Sequence, residues 1–217
     1  MNANRYIKLV SDFHEAMRHR QPEPRIPDLS DIATNKLRPE LIREELRETY
    51  EAVQSGNRVE QLDGLCDVQY VLSGSVLDWG FRTMFCSMAQ IVDLRKIHDV
   101  DAHIAAMLGI TAQMEEAARH LFANQLLTHL RNMQQRLSAL VYHLGFSPVF
   151  DAAFDVVHAN NLGKIWKQSD VDEYYASSHA VDGVRFEATK GGYIARRQDG
   201  KVLKPAGFEK VTLERFV

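Results

Sequence analysis

Leu41-Ile42-Arg43-Glu44-Glu45-Leu46-Arg47-Glu48, followed beyond a Ser55-Gly56-Asn57 break by Leu62-Asp63-Gly64-Leu65-Cys66-Asp67-Val68-Gln69-Tyr70-Val71, carries the signature of two helices in succession. In the first half Leu41, Ile42, Leu46, Thr49, Tyr50 and Val53 recur at spacings of three and four, which makes one helical face. Leu62, Leu65, Cys66, Tyr70 and Val71 begin a second such face. The intervening break is short, and helices joined by so short a connection pack antiparallel. Glu44 and Glu48 stand at i, i+4 and Glu45 and Glu48 at i, i+3, so three carboxylates share one side of the first helix. Glu60, Asp63 and Asp67 fall at i, i+3 and i+7 and form a stripe on the second. Two acidic faces are therefore expected to meet.

Carboxylates pressed together repel and take up protons unless a cation neutralises them, and an all-oxygen donor set suits Mg2+ or Mn2+. The competing reading is a pair of solvated outer faces, since glutamate is common on exposed helix surfaces. The apolar neighbours of Asp67, namely Leu65, Val68, Tyr70 and Val71, favour the first, because an acid in such a setting is costly without a partner.

Working outward, Tyr6, Ile7, Val10, Phe13 and Met17 predict a helix over residues 4–19. Pro22, Pro24 and Pro27 then impose a stiff loop, and Pro39 suits the first turn of the acid-bearing helix. The next helix begins near Val59, with Gly74 and Gly80 as soft points. Residues 82–144 read as an inserted helical hairpin, in which the apolar run from Met114 to Leu144 suggests one long helix stopping at Gly145. Trp79-Gly80-Phe81 and Leu144-Gly145-Phe146 bracket that insert. Ser147-Pro148 starts a further helix reaching Asn160 and Lys164. Past Lys167 the helical period disappears, and the segments around Val184 and Tyr193 read as two short strands about a glycine turn in a tail over residues 167–217. A single domain over residues 1–217 is expected.

The composition narrows the function classes. A net charge of −3 with 25% charged residues offers no general nucleic-acid-binding surface. No segment supplies the ~20 apolar residues of a membrane helix, and residues 1–6 show no signal-peptide core, so a soluble cytoplasmic protein is expected. The two cysteines, Cys66 and Cys86, form no CxxC pair and read as reduced thiols.

Five segments, in order, resemble the MazG-like all-alpha nucleoside triphosphate pyrophosphohydrolases, particularly the branch similar to phosphoribosyl-ATP pyrophosphohydrolase. They are Phe13-His14-Glu15-Ala16 with its proline-rich sequel, the stretch from Leu41 to Glu48, that from Leu62 to Val71, Val157-His158-Ala159-Asn160-Asn161-Leu162-Gly163-Lys164, and Asp199-Gly200-Lys201-Val202-Leu203-Lys204-Pro205. The resemblance implies an all-α, four-helix bundle, a homodimer or higher homo-oligomer, and Mg2+-dependent cleavage of a nucleoside triphosphate to the monophosphate and pyrophosphate. It places Glu45 and Glu48 as metal ligands, Glu44 as ligand or water-activating base, and Asp67 as the acid of the following helix. Three positions before Asp67 the family pattern has glutamate and this chain has Gly64; Asp63 stands in, with Glu60 as the alternative. Asn161, Lys164, Lys201 and Lys204 are implied as polyphosphate contacts, and Tyr70 is a candidate base-stacking ring. Lysine there supplies a point charge opposite the phosphates.

Competing motifs are weaker. His98-Asp99 and His103 lack the remaining histidines and aspartate of a metal phosphohydrolase centre, His14 reads as a packing residue, and no Walker-type loop occurs. A catalytically silent helical module, using the insert for oligomerisation or nucleotide binding, is the alternative function.

Overall fold

Asp31 starts the acid-bearing helix, its carboxylate accepting the backbone N–H groups of Ala33 and Thr34 and so satisfying two donors that a helix start leaves orphaned. The structure is a computed structural model and describes residues 1–23, 25–86, 97–177, 183–198 and 202–217. In chain order the helices are α1 (Ala3–Ala16), α2 (Ile32–Gln54), α3 (Arg58–Asp78), the short α4 (Arg82–Cys86), α5 (Val100–Arg119), α6 (Ala123–His143), α7 (Phe150–Leu162) and α8 (Gln168–Ala176). Strands β1 (Arg185–Thr189), β2 (Gly192–Arg196) and β3 (Val202–Leu203) form an antiparallel sheet in that order, and Glu214–Phe216 is a 3-10 turn.

The architecture is the expected helical bundle. Helices α2 and α3 lie antiparallel, α1 and α7 pack on α3, and the α5–α6 hairpin covers the other flank by packing on α2 and α3. One apolar core runs through them, with Leu46, Leu62, Leu65, Val76, Trp79, Phe81, Phe150 and Phe154 essentially without solvent contact. Burying one such side chain fully contributes roughly 1.5–3 kcal/mol. Among the described residues no helix is long and apolar enough to cross a membrane.

Four expectations need correction. Helix α2 starts two turns before Pro39, because the Asp31 cap initiates it there; Pro39 sits inside, lacking the N–H that an α-helix would direct to the Asn35 carbonyl. Helix α1 ends at Ala16 rather than residue 19. The apolar run from Met114 to Leu144 is two helices, broken at His120-Leu121-Phe122. Beyond Lys167 a further α-helix occurs, α8, only nine residues long, whose apolar positions Val171, Tyr174 and Tyr175 make too short a run to stand out in the sequence.

The helix stops share one device. After α3 the N–H of Gly80 donates to the Leu77 carbonyl and that of Phe81 to Val76; after α6 Gly145 donates to Tyr142 and Phe146 to Val141. Both are Schellman stops with the glycine at positive φ. Thus the two motifs bracketing the insert are the same physical device. Helix α5 stops in this way too, Leu121 donating to Ala118 and Phe122 to Ala117, but with Leu121 at φ 59°. A leucine there gives no glycine signal, which is why the periodicity reads straight through.

The C-terminal sheet is fastened to the bundle where the cleft described below opens. Trp166 and Tyr193 exchange two backbone hydrogen bonds of 2.8 Å. Thr189 Oγ1 donates to the Ala16 carbonyl at 2.6 Å and Arg196 Nη2 to that of Met17 at 2.8 Å. Trp166, Val171 and Ala195 make a small second core beneath the sheet.

Candidate active site

The antiparallel contact of α2 and α3 sets what faces what. A β-carbon on Gly64 would fall 2.6 Å from Thr49 Oγ1, so at this level the two helices leave no room for a side chain unless Thr49 shifts. One turn beyond, Glu45 on α2 faces the level of Asp67 on α3; two turns further, Arg38 faces Gly74 and Asp78. Both halves line one cleft of about 380 Å³ between α1, α2, α3, α7 and the C-terminal segment.

At its outer end the cleft is acidic on one wall and basic on the other. Glu45, Asp63 and Asp67 line it from the helical hairpin; Asn161 from α7, Lys164 from the turn that follows it, and Lys204 and Lys210 from the tail stand opposite. Burial, together with the charges of Asp67, Glu48, Glu44 and Asp63, pushes Glu45 up to about 8. Burial and the Asp63 charge push Asp67 up to about 7 against the opposing pull of Lys164 and Lys210. Lys164 is lowered, by burial first and Lys204 second, while Lys210 is raised by its hydrogen bond to Asp63. Lys210 Nζ lies 2.9 Å from Asp63 Oδ2, and Lys164 Nζ lies 2.5 Å from Asn161 Oδ1. The acid wall is thus short of positive charge despite its lysines.

Glu45, Asp63, Asp67, Tyr70, Asn161, Lys164 and Lys204 all line the cleft. Glu44 and Glu48 are exposed and do not line it, although both are near enough to raise Glu45. Of the two candidates for the fourth acid, Asp63 faces the cleft and Glu60 is exposed outside its lining. Lys201 lies outside the described residues. His14, read as a packing residue, is buried but also lines the cleft. Lys210, Arg38, His19, Phe13 and Phe208 line it and were not anticipated. Arg38 carried a usable signal, since it stands seven positions before Glu45 on the same helical face; placing the helix start at Pro39 hides it. Lys210, in an irregular tail, carries none.

Residues 10–84 match the family model described as phosphoribosyl-ATP pyrophosphohydrolase. That family lies within the MazG-like all-alpha pyrophosphohydrolases, the group the sequence resembles. The matched segment holds the acid wall and the inner end of the cleft, whereas Lys164 and the tail lysines lie beyond it. No curated protein and no solved structure matches the chain.

The donor set of this pyrophosphohydrolase-like hairpin fits a hard divalent cation in chemistry, being oxygen-only and deficient in compensating charge. Among the described residues no three His, Cys, Asp or Glu side chains already stand grouped as a ready-made ligand set. Asp63 is engaged by Lys210, and Glu44 and Glu48 reach into solvent. Glu45 and Asp67 are thus the two acids of the cluster that line the cleft without an ion-pair partner among the described residues. The two thiols stand apart from this chemistry: Cys66 and Cys86 are free, and burial raises both.

Proposed function

We propose that the protein is a metal-dependent nucleoside triphosphate pyrophosphohydrolase that releases a nucleoside monophosphate and pyrophosphate. The observation that carries this reading is the facing of Glu45 and Asp67, both held well above the usual carboxylate range, by Lys164, Lys204 and Lys210 across one cleft. Such a pair gains most from a ligand that brings a divalent cation to the acids and phosphate oxygens to the lysines. The family match over the acid-bearing hairpin supports the same reaction class.

Glu45 and Asp67 would hold Mg2+ or Mn2+, with Glu48 and Asp63 turning in to complete the oxygen donors. When bound, the ion would supply positive charge against the polyphosphate and lower the pKa of a water molecule in the site. Lys164, Lys204 and Lys210 orient the polyphosphate as point charges. A carboxylate of the cluster, Glu44 or Glu45, accepts the proton of the water that attacks the α phosphorus, and the bond to the β-phosphate oxygen breaks. Tyr70 is fixed for a stacking role because its hydroxyl lies 3.1 Å from His158 Nδ1. A homodimer or higher homo-oligomer forms part of this proposal.

The test is a panel of common and noncanonical nucleoside triphosphates, with phosphoribosyl-ATP included, assayed for pyrophosphate with Mg2+ and with EDTA. Metal-dependent pyrophosphate release from at least one member is expected. Binding of nucleotides without turnover would favour the silent module instead.

A further inference from the structure

Beyond the acid wall the cleft continues inward along α2 and α3 to a second group of side chains: Phe13, His14 and His19 from α1 and its C-terminal turn, and Arg38 from α2. Seven residues of helix, about 10 Å, separate Arg38 from Glu45 on one face. That is comparable with the reach from an α-phosphate to the far edge of its base. Between the two ends runs a row of rings. Tyr70 meets Phe13 edge-on at 5.5 Å, Phe13 stacks on His19 at 5.8 Å, and His19 stacks on His14 at 5.0 Å.

The inner end is polar without being charged overall. Arg38 Nε donates to Asp78 Oδ2 at 2.6 Å and its Nη2 is paired with the same oxygen. Asp78 Oδ1 stands 3.2 Å from His14 Nδ1, in contact but poorly aligned for a hydrogen bond. Burial and the neighbouring His14 lower His19 to about 4, so it is neutral at pH 7. Arg38 is paired with Asp78, and Arg196, the other guanidinium near enough to lower His19, stands 3.6 Å from Glu187, so each guanidinium here has a carboxylate. A phosphate would meet no net attraction here, whereas a neutral group with a strong acceptor would meet a cationic donor.

That donor is present and open. Arg38 Nη1 has no hydrogen-bond partner among the described residues, although the side chain is only 8% exposed. It lies 2.9 Å from where a β-carbon on Gly74 would be, and His14 Nε2 lies 3.2 Å from that point. Gly74 is thus the absence of a side chain that leaves Arg38 and His14 room.

We propose that Arg38, His14, His19 and Phe13 form a nucleobase subsite that selects bases bearing an exocyclic carbonyl over those bearing an amino group at the same edge. The inference rests on the triphosphate reading and names its preferred substrates: 6-oxopurine and 4-oxopyrimidine nucleotides. Arg38 Nη1 donates to the carbonyl, the ring row stacks the base, and an exocyclic amino group at that position would set donor against donor. A buried charged donor left unpaired gives a discrimination of about ten- to a hundredfold.

The test compares the full chain's affinity, with Mg2+ present, for the α,β-methylene analogues of GTP and UTP against those of ATP and CTP, alongside kcat/KM for the parent nucleotides. Wild type is expected to favour the oxo bases by tenfold or more, and Arg38→Lys to bring that ratio within about threefold of unity. Because a buried pair is disturbed, Arg38→Met/Asp78→Leu, which leaves no lone charge, serves as the second variant with the same expectation. Equal or better binding of amino bases by wild type, or an oxo preference surviving in either folded variant, would overturn the subsite. So would saturable binding of inorganic phosphate lost on changing Arg38. The methylene analogues resist cleavage between the α and β phosphates, so a preference in binding without turnover would sink the hydrolase reading and leave the subsite standing.

Discussion

Thr49 Oγ1 stands 2.6 Å from the point a β-carbon on Gly64 would occupy, so α2 and α3 are in close contact at this level. The resembled family's pattern has glutamate at this position, and here any side chain would have to displace Thr49. The acid moves to Asp63, which reaches the same cleft. Thr49 is fixed in turn by its hydroxyl, which donates to the Glu45 carbonyl at 2.7 Å. The departure from the pattern and the close helix contact are one feature.

Restoring the pattern with Gly64→Glu should therefore destabilise the fold, by about 1–3 kcal/mol as for other overpacked interiors. Adding Thr49→Ala should recover part of the loss by removing the oxygen that is met first. Urea midpoints of the single and double variants check this, and an unchanged midpoint for Gly64→Glu would mean that the helices are free to separate.

Leu121 ends α5 in the left-handed region, at φ 59°, with 60% of its surface exposed. Glycine avoids the steric cost of that conformation, about 1–2 kcal/mol for an L-residue, and forfeits little burial here. Leu121→Gly should raise stability by about 1 kcal/mol in equilibrium denaturation; a loss would show that Leu121 packs in a way its exposure conceals.

The acid pair predicts a pH effect with a definite sign. Glu45 rises from 4.5 to about 8 and Asp67 from 3.8 to about 7, so between pH 4 and 8 the folded state holds more protons than the unfolded. Stability from these groups is full below the unfolded values and is lost as pH rises through 7 and 8. His19, lowered from 6.5 to about 4, works oppositely but only below about pH 6.5. Metal-free protein should accordingly lose Tm from pH 6.5 to 8.5, and Glu45→Gln should flatten that slope. Added Mg2+ should raise Tm more at pH 8.5 than at pH 6.5, since cation and protons compete for the same oxygens. Scanning calorimetry in the two buffers reads both effects.

Lys210 sits on Asp63 from an exposed tail, its side chain 67% accessible. An ion pair that open contributes under about 1 kcal/mol to folding. Lys210→Met should therefore leave the Tm nearly in place while raising KM for the nucleotide about tenfold, as expected for loss of a charge-assisted contact. A KM unchanged beside a lowered Tm would assign Lys210 to structure alone.

Much of the site was legible from spacing because it depends on helical periodicity. Glu45, Asp63 and Asp67 follow from acids recurring at three and four on two helices joined by a short turn, and the structure brings those positions onto one wall of the cleft. The α6 stop was legible because Gly145 marks it; Gly80, read only as a soft point, ends α3 by the same device. What escaped depends on atoms that periodicity does not encode. The α5 stop uses a leucine where glycine is usual, α2 begins at an aspartate cap two turns before the proline that draws attention, and α8 buries only Val171. Lys210 reaches Asp63 through an irregular tail whose path is set by tertiary anchors such as Asn160 Nδ2 to the Glu209 carbonyl, 2.8 Å.

The most direct measurement is 31P NMR of a nucleoside triphosphate that the wild-type chain turns over, incubated with Mg2+ and either wild type or Glu45→Gln. The wild type should yield nucleoside monophosphate and pyrophosphate, and the variant, with its fold confirmed by circular dichroism, less than about 1% of that rate, a loss of some 2.7 kcal/mol in transition-state stabilisation. Undiminished turnover by Glu45→Gln, or products that are the diphosphate and inorganic phosphate, would contradict the account.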